Sequence, residues 1–424
     1  MSRTGVASNE TVADALAATL EPVIGGVEVA DLHRLSGGAS RETWSFRVGA
    51  RRLILRRDPP GRPGPRGGMH LEAELMRSAR RAGLRVADVL VDDDGSTLGT
   101  AGLVMDHVDG ETLPKRILHD ERFTAARPRL VGQIGAFLAG LHAIDPAEVP
   151  GLPGGDVLTD TWAVYDLVGG QSPVFEKTQA WLEANRPPTT RRVIVHGDLR
   201  LGNLIVDDDG LAAAIDWELA HLGDPLEDLA WVCVKAWRFG AAPAVAGLGS
   251  LDELIAAYEQ AGGDRVDRDA LHWWLVQQTL RWGLICMGQA FAHLSGAVRS
   301  HELAAVGRRV AEQEWDLVEL LAPDACAAVR ADPPDLTLPD SAQPYGRPTA
   351  TELLHAVHDF LTEDVMPATS GRLAYQSRVA ANILSIVERE LAQTAPDPPG
   401  DDWPSLARFA WARLAVANPK RLDP

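Results

Sequence analysis

Apolar and polar positions alternate from residue 27 to residue 57, VEVADLHRLSGGASRETWSFRVGARRLILRR, which is the two-residue period of strands. A short helix over 11–20 is predicted ahead of them. Gly37-Gly38-Ala39-Ser40 and Gly49-Ala50 interrupt the run as turns. Residues 59–68, PPGRPGPRGG, hold too much proline and glycine for regular structure, and 70–81 reads as a helix. Two further strands are expected at 86–91 and 96–108, joined by Asp92-Asp93-Asp94-Gly95. From Glu111 the period becomes helical. In 131–144 Ile134, Leu138, Leu141 and Ile144 form one stripe, and 159–186, 229–239 and 270–294 read as further helices.

Three short apolar runs interrupt this helical half. Residues 193–195, 204–206 and 211–215 are each too short for a helix, and Asp207-Asp208-Asp209-Gly210 turns between the last two. The polar residues around them, His196, Asp198, Arg200 and Asn203, therefore belong to a loop, and Asp216 lies just past a strand end. Asp224-Pro225-Leu226-Glu227 has the makings of an N-cap, a first-turn proline and a capping-box glutamate. Prolines at 323, 333, 334, 339 and 344 mark a linker within 322–345. Beyond it Leu353, Leu354, Val357, Phe360 and Leu361 form one helical stripe, Val379, Ile383, Ile386, Val387 and Leu391 a second, and 404–417 a last helix. The expected class is α+β. Its parts are a sheet-rich region 25–108, a helical region 109–325, a linker 326–345 and a small helical domain 346–424, whose core is modest.

Composition narrows the function. A chain of 424 residues with 46% hydrophobic content can build two or three packed units. Forty-one basic against 59 acidic residues, a net charge of −18, argue against nucleic acid or an anionic membrane as partner. Cys233, Cys286 and Cys326 are too widely spaced for a metal cluster or a disulfide framework. The N-terminus is polar and no apolar run reaches the length of a membrane span, so a soluble cytoplasmic protein is expected. The first lysine is Lys115, so any phosphate-binding cation in the N-terminal region must be an arginine. Strand alternation puts Ile54 and Arg56 on one face and Arg57 on the other.

The loop residues suit phosphoryl transfer. A kinase needs a carboxylate to orient a hydroxyl in line with the γ-phosphate, and hard oxygen ligands for Mg2+. Asp198 suits the first task, and the Asn203 amide oxygen and the Asp216 carboxylate the second. Arg200 can neutralise charge on the transferring group, and His196 braces the loop. The acidic turns at 92–95 and 207–210 are hairpin chemistry and lack the later glutamate of a calcium loop.

HGDLRLGN followed by IDWE resembles the catalytic loop and metal-binding segment of the aminoglycoside phosphotransferase/choline kinase family, and the likeness covers about residues 25 to 325. It implies a bilobal protein-kinase-like fold, with an antiparallel sheet lobe and a mostly helical lobe, and ATP and Mg2+ as cofactors. It further implies a nucleotide site made by Gly37, Gly38, Ser40 and Arg56. Glu72 would pair with that cation (Glu74 is the neighbouring alternative), and Met105 and His107 would form the hinge against adenine. Asp228 would brace the catalytic loop, and His142 matches a family position with a structural role. Trp217-Glu218 stands where protein kinases carry Phe-Gly, which disfavours a protein kinase.

LSGGASRETWSF, LILRRDPPG and HGDLRLGNLIV resemble the branch of that family that travels with acyl-CoA dehydrogenases. That implies a hydroxylated acyl acceptor, such as a hydroxyacyl-CoA, with Arg281, Arg299 or Arg372 on the acceptor side. An aminoglycoside kinase is the alternative within the class, and an inactive nucleotide-binding module the alternative outside it. Residues 346–424 are similar to a small helical domain found beside such phosphotransferases, through which a protein partner or self-association is expected. Trp231, Trp237, Trp273, Trp274 and Trp282 supply core, with some facing the acceptor.

Overall fold

The structure, a computed structural model, describes residues 9–35, 41–59, 68–189, 191–298, 300–336 and 350–422. Its contacts divide the chain into two compact units, residues 1–155 with 188–275, and 156–187 with 276–424. This division runs differently from the expected order of a region ending at 325 and a separate domain from 346.

In the first unit a five-stranded antiparallel sheet has the order β1-β2-β3-β5-β4, with β1 Val29–Arg34, β2 Glu42–Val48, β3 Arg51–Arg57, β4 Val89–Asp93 and β5 Gly102–Asp106. β2 and β3 pair in register from Glu42 opposite Arg57 to Val48 opposite Arg51, turning through Gly49 at φ 59°. Alternation then sorts the side chains. Trp44, Phe46, Leu53 and Leu55 face a core completed by Val12, Leu16 and Leu20 of the helix Asn9–Ile24. Arg57 turns to that side and binds Glu42 at 2.9 Å, while Arg56 emerges on the opposite face. β5 is shorter than the sequence pattern suggests because the Asp93 carboxylate takes up the N–H groups of Gly95, Thr97 and Leu98 in a turn.

The three short apolar runs form strands. β6 Val193–Val195 pairs with β9 His221–Gly223, and β7 Leu204–Asp207 pairs with β8 Gly210–Ala214 across the acidic turn. The helix Arg127–His142 buries Ile134, Leu138 and Leu141 and packs on the helix Leu251–Gln260. Their approach is close at Gly135, where a Cβ would sit 2.8 Å from that of Ala257.

Several helices differ from the sequence reading. The run 229–239 is not one helix: Leu226–Trp231 stops at Val232-Cys233-Val234, and Lys235–Arg238 forms a 3-10 turn. Two of those three residues are β-branched, and Val234 has an extended ψ of 131°. Only half of the expected capping box forms. Glu227 accepts the Asp224 N–H at 2.8 Å, but the Asp224 carboxylate accepts from Leu226. In the second unit 159–186 breaks into Val157–Leu167 and Pro173–Ala184, separated by Gly169-Gly170 and restarted by Ser172, whose hydroxyl accepts the Phe175 N–H at 3.2 Å.

The expected linker begins with a helix, Pro323–Ala331, because Pro323 suits a first helical turn; its continuation 337–345 lies outside the described residues. Val310–Leu321 is enclosed and carries buried Glu314 and Asp316, met by Arg413 at 2.6 Å and Arg421 at 2.5 Å. Helix Trp403–Ala417 packs on it, with Trp411 edge-on to Trp315 at 5.3 Å. Helix Ala350–Asp359 instead has no fully buried residue, and Leu353 and Val357 on it and Phe360 just after it are exposed. Among the described residues no helix is long and apolar enough to cross a membrane. The three cysteines are buried, and burial pushes the Cys233 and Cys286 thiols up to about 12.

Candidate active site

β6 delivers the chain into a tight loop at His196-Gly197-Asp198. Gly197 has φ 75°, and a Cβ there would meet the Leu219 carbonyl oxygen at 2.4 Å, so no larger residue fits. Asp228, 0% exposed, grips the loop from below: its carboxylate accepts the N–H of His196 at 2.7 Å and of Gly197 at 2.9 Å. His142 adds a third contact at 3.3 Å and is itself held by the Tyr258 hydroxyl at 3.0 Å. Burial opposes charge on Asp228, yet the His142 and His196 contacts outweigh it and hold the carboxyl below its ordinary range.

His196 is fully buried and lies 4.6 Å from the Trp217 ring. Burial presses its pKa below the ordinary value, against the opposing carboxylates of Asp228, Asp198 and Asp216. Its Nδ1 accepts the Asp198 N–H at 3.3 Å, which assigns the proton to Nε2. A neutral, enclosed ring of this kind shapes the loop.

The Asp198 carboxylate is hydrogen-bonded on both oxygens. Oδ1 accepts from Trp231 Nε1 at 2.9 Å and from Arg200 Nε at 3.2 Å; Oδ2 accepts from Asn203 Nδ2 at 2.7 Å. The Arg200 guanidinium lies over the Trp237 ring at 4.9 Å, and Trp237 contacts Trp231 at 5.2 Å. Because the Asn203 amide nitrogen is the atom engaged with Asp198, its oxygen is the group able to ligate a cation. The Asn203 carbonyl accepts the Ile215 N–H at 2.9 Å, tying the loop to the residue before Asp216. Asp216 itself is left-handed, φ 70° and ψ 61°, a region that aspartate enters more readily than most side chains.

Arg56 reaches across from the sheet. One guanidinium nitrogen binds Glu72 Oε1 and the other binds Asp216 Oδ1 at 2.7 Å. Glu72 is buried on the helix Gly68–Arg81, whereas Glu74 points to Arg77 at 2.9 Å. The choice between the two acids is thus made by burial. A second guanidinium, Arg41, occupies Glu72 Oε2. Burial, and then the Arg56 charge, press the Arg41 pKa down, against Glu218, Asp58 and Asp216.

Of the hinge pair, Met105 sits in β5 opposite Ile54, and the His107 N–H donates to the Arg52 carbonyl at 3.1 Å. Gly37, Gly38, Ser40 and Arg299 lie outside the described residues. Arg281 and Arg372 belong to the second unit. Beside Asp198 the guanidinium is that of Arg200. Sequence reasoning missed Arg41, and missed that Trp231 bonds the Asp198 carboxylate. Neither has a periodic signal: Arg41 follows a glycine-rich run in the sequence, and Trp231 reads as one more core aromatic.

The donor set suits a magnesium ion shared with phosphates. It offers one carboxylate and one amide oxygen, and among the described residues no group of three or more His, Cys, Asp or Glu side chains could hold a metal alone.

A family model described as "Phosphotransferase enzyme family" matches residues 31–274, and one for a domain of unknown function matches 367–402. Among curated proteins, acyl-CoA dehydrogenase family member 10 of Mus musculus is 28% identical over 235 residues, 52% of this chain and 22% of the relative. Acyl-CoA dehydrogenase family member 11 of Mus musculus is 28% identical over 262 residues, 56% of this chain and 33% of the relative. The match thus spans a third or less of those relatives' own length. Among solved structures, a protein from Ralstonia eutropha assigned as an aminoglycoside phosphotransferase has a TM-score of 0.58 at 21% identity, covering 70% of this chain and 94% of that one. That likeness shows a protein-kinase-like fold.

Proposed function

The chain belongs to the phosphotransferase enzyme family, and from that premise we propose an ATP- and Mg2+-dependent kinase for a small-molecule hydroxyl, with a hydroxylated acyl compound such as a hydroxyacyl-CoA as acceptor. The observation that carries the reading is the Asp198 carboxylate, oriented through both oxygens, on a loop that is hydrogen-bonded to the segment bearing Asp216. Asp198 takes the hydroxyl proton as the acceptor oxygen bonds to the γ-phosphorus and the bridging bond to ADP breaks. Asn203 and Asp216 would hold the magnesium ion, which when bound neutralises phosphate charge. Arg56, kept in place by Glu72, is positioned to exchange Asp216 for phosphate oxygens, and Arg200 to neutralise the transferring group.

The acceptor class follows from what surrounds Asp198. Its partners are the Trp231 indole, the Arg200 guanidinium and the Asn203 amide, with the Trp237 ring under Arg200, surroundings that suit an apolar or anionic molecule; a polycationic aminoglycoside wants carboxylates. The names of the relatives support an acyl compound. Mass spectrometry of phosphate transfer from Mg-ATP to hydroxyacyl-CoAs, free hydroxy acids, choline-like alcohols and aminoglycosides tests this. A phosphorylated acyl product is expected, and transfer to aminoglycosides alone would sink the acyl assignment.

Asp216 carries a separate prediction. Asp216→Ala should weaken Mg-ATP binding by about tenfold or more, the worth of one charged contact. Calorimetry with an unchanged dissociation constant would remove Asp216 from the metal site.

A further inference from the structure

Arg41 has no place in the chemistry described so far, yet it is one of the most enclosed charges in the first unit, 4% exposed. It enters from the start of β2 and faces three carboxylates on three other segments. Its Nη1 binds Glu72 Oε2, and its Nε lies 3.5 Å from Asp58 Oδ1 and 3.7 Å from Glu218 Oε2. Asp58 follows β3, Glu72 is on the helix Gly68–Arg81, and Glu218 stands two residues past Asp216.

The charges form a connected chain. Arg41 and Arg56 take the two oxygens of Glu72, one each, and Arg56 continues to Asp216. Four carboxylates (Asp58, Glu72, Asp216 and Glu218) are therefore served by two guanidinium groups. Without Arg41, one oxygen of the buried Glu72 would lose its guanidinium, and Arg56 alone would have to hold that carboxylate while its other nitrogen leaves Asp216 for phosphate. Glu218 would also lose one of the contacts that tie the metal segment to the helix. A lysine cannot substitute, because its ammonium is a point charge, whereas the planar guanidinium addresses carboxylates from several directions at once.

We propose that Arg41 is a positioning residue of the phosphate site: it holds Glu72 and Glu218 so that Arg56 and Asp216 keep the arrangement that receives the Mg-nucleotide. This rests on the kinase reading. It also ties the Gly68–Arg81 helix to the site at one residue, with Arg41 on one Glu72 oxygen and Arg56 on the other.

Calorimetry of Mg-ATP binding to the full chain tests it with two variants, each also followed by thermal unfolding. Arg41→Lys should weaken Mg-ATP by about tenfold to a hundredfold while Tm moves only a few degrees. The double variant Arg41→Met/Glu218→Gln removes one charge of each sign, so that the burial stays balanced, and it should show the same loss of affinity. Wild-type affinity in the folded double variant would mean that Arg41 only neutralises its neighbours, and would overturn the positioning role. So would wild-type affinity in Arg41→Lys. A wild-type protein that fails to bind Mg-ATP is a different result: it removes the kinase reading itself, and the role of Arg41 with it.

Discussion

Replacing Asp198 by asparagine is expected to lower kcat by about 10²–10⁴-fold, the usual worth of a positioned general base, with Mg-ATP affinity little changed. The substitution keeps the size of the side chain but exchanges one acceptor oxygen for an NH2 group. Asp198 receives donors on both oxygens, from Trp231 and Arg200 on one and Asn203 on the other. An amide would therefore set a donor against a donor on one side, as well as losing the ability to take a proton. Steady-state kinetics with the acceptor found in the transfer screen gives kcat, and calorimetry gives nucleotide affinity. Turnover equal to wild type would remove Asp198 from the mechanism. A loss confined to nucleotide binding would place it on the wrong side of the reaction.

The second large effect is expected at Asp228, which touches no reacting atom. Asp228→Ala leaves two loop N–H groups and a His142 ring nitrogen in the interior without their acceptor, at about 1–3 kcal/mol for each buried group left unsatisfied. Urea denaturation reads that loss, and the activity of the folded fraction should fall with it because Gly197 and Asp198 are released. The pH dependence has a definite sign. The folded carboxyl is held below its unfolded value, so its contribution is complete above the ordinary aspartate pKa of about 3.9 and is lost as pH falls through the lower, folded value. Wild type should therefore lose stability on that acid limb more steeply than Asp228→Asn. Parallel curves for the two proteins would show that Asp228 carries no such linkage.

Much of this arrangement is legible in the order of residues because its parts are local. Asp198, Asn203 and Asp216 sit at fixed intervals within one strand-loop-hairpin, and three apolar runs too short for helices could only be strands around a loop. Arg56 could be placed because a strand has a two-residue period, so that Leu55 in the core puts Arg56 on the opposite face. The absence of lysine before Lys115 then left arginine for the task. Helix ends were less legible. Gly169-Gly170 and Val232-Cys233-Val234 each interrupt an apolar pattern that continues on both sides, so periodicity carries straight through a break that backbone propensity makes.

What only the tertiary structure decided was which distant side chains share one charge. Glu72 and Glu74 are equivalent as letters on a helix; burial selects Glu72, and the presence of both Arg41 and Arg56 explains why a buried carboxylate is tolerated there. Trp231 carries no mark that separates it from a core tryptophan, yet its N–H meets Asp198 because the helix Leu226–Trp231 ends beside the loop. The tail is the same case: helix Trp403–Ala417 starts where Asp402 caps it, but its burial against Val310–Leu321 depends on Glu314 and Asp316 finding Arg413 and Arg421 about a hundred residues away. The sequence by itself determined most of the elements and the candidate site residues, since period, turn chemistry and short-range spacing act within a few residues. Partner choice among like side chains depends on burial and on the cost of leaving a charge alone, and neither exists until the chain has folded.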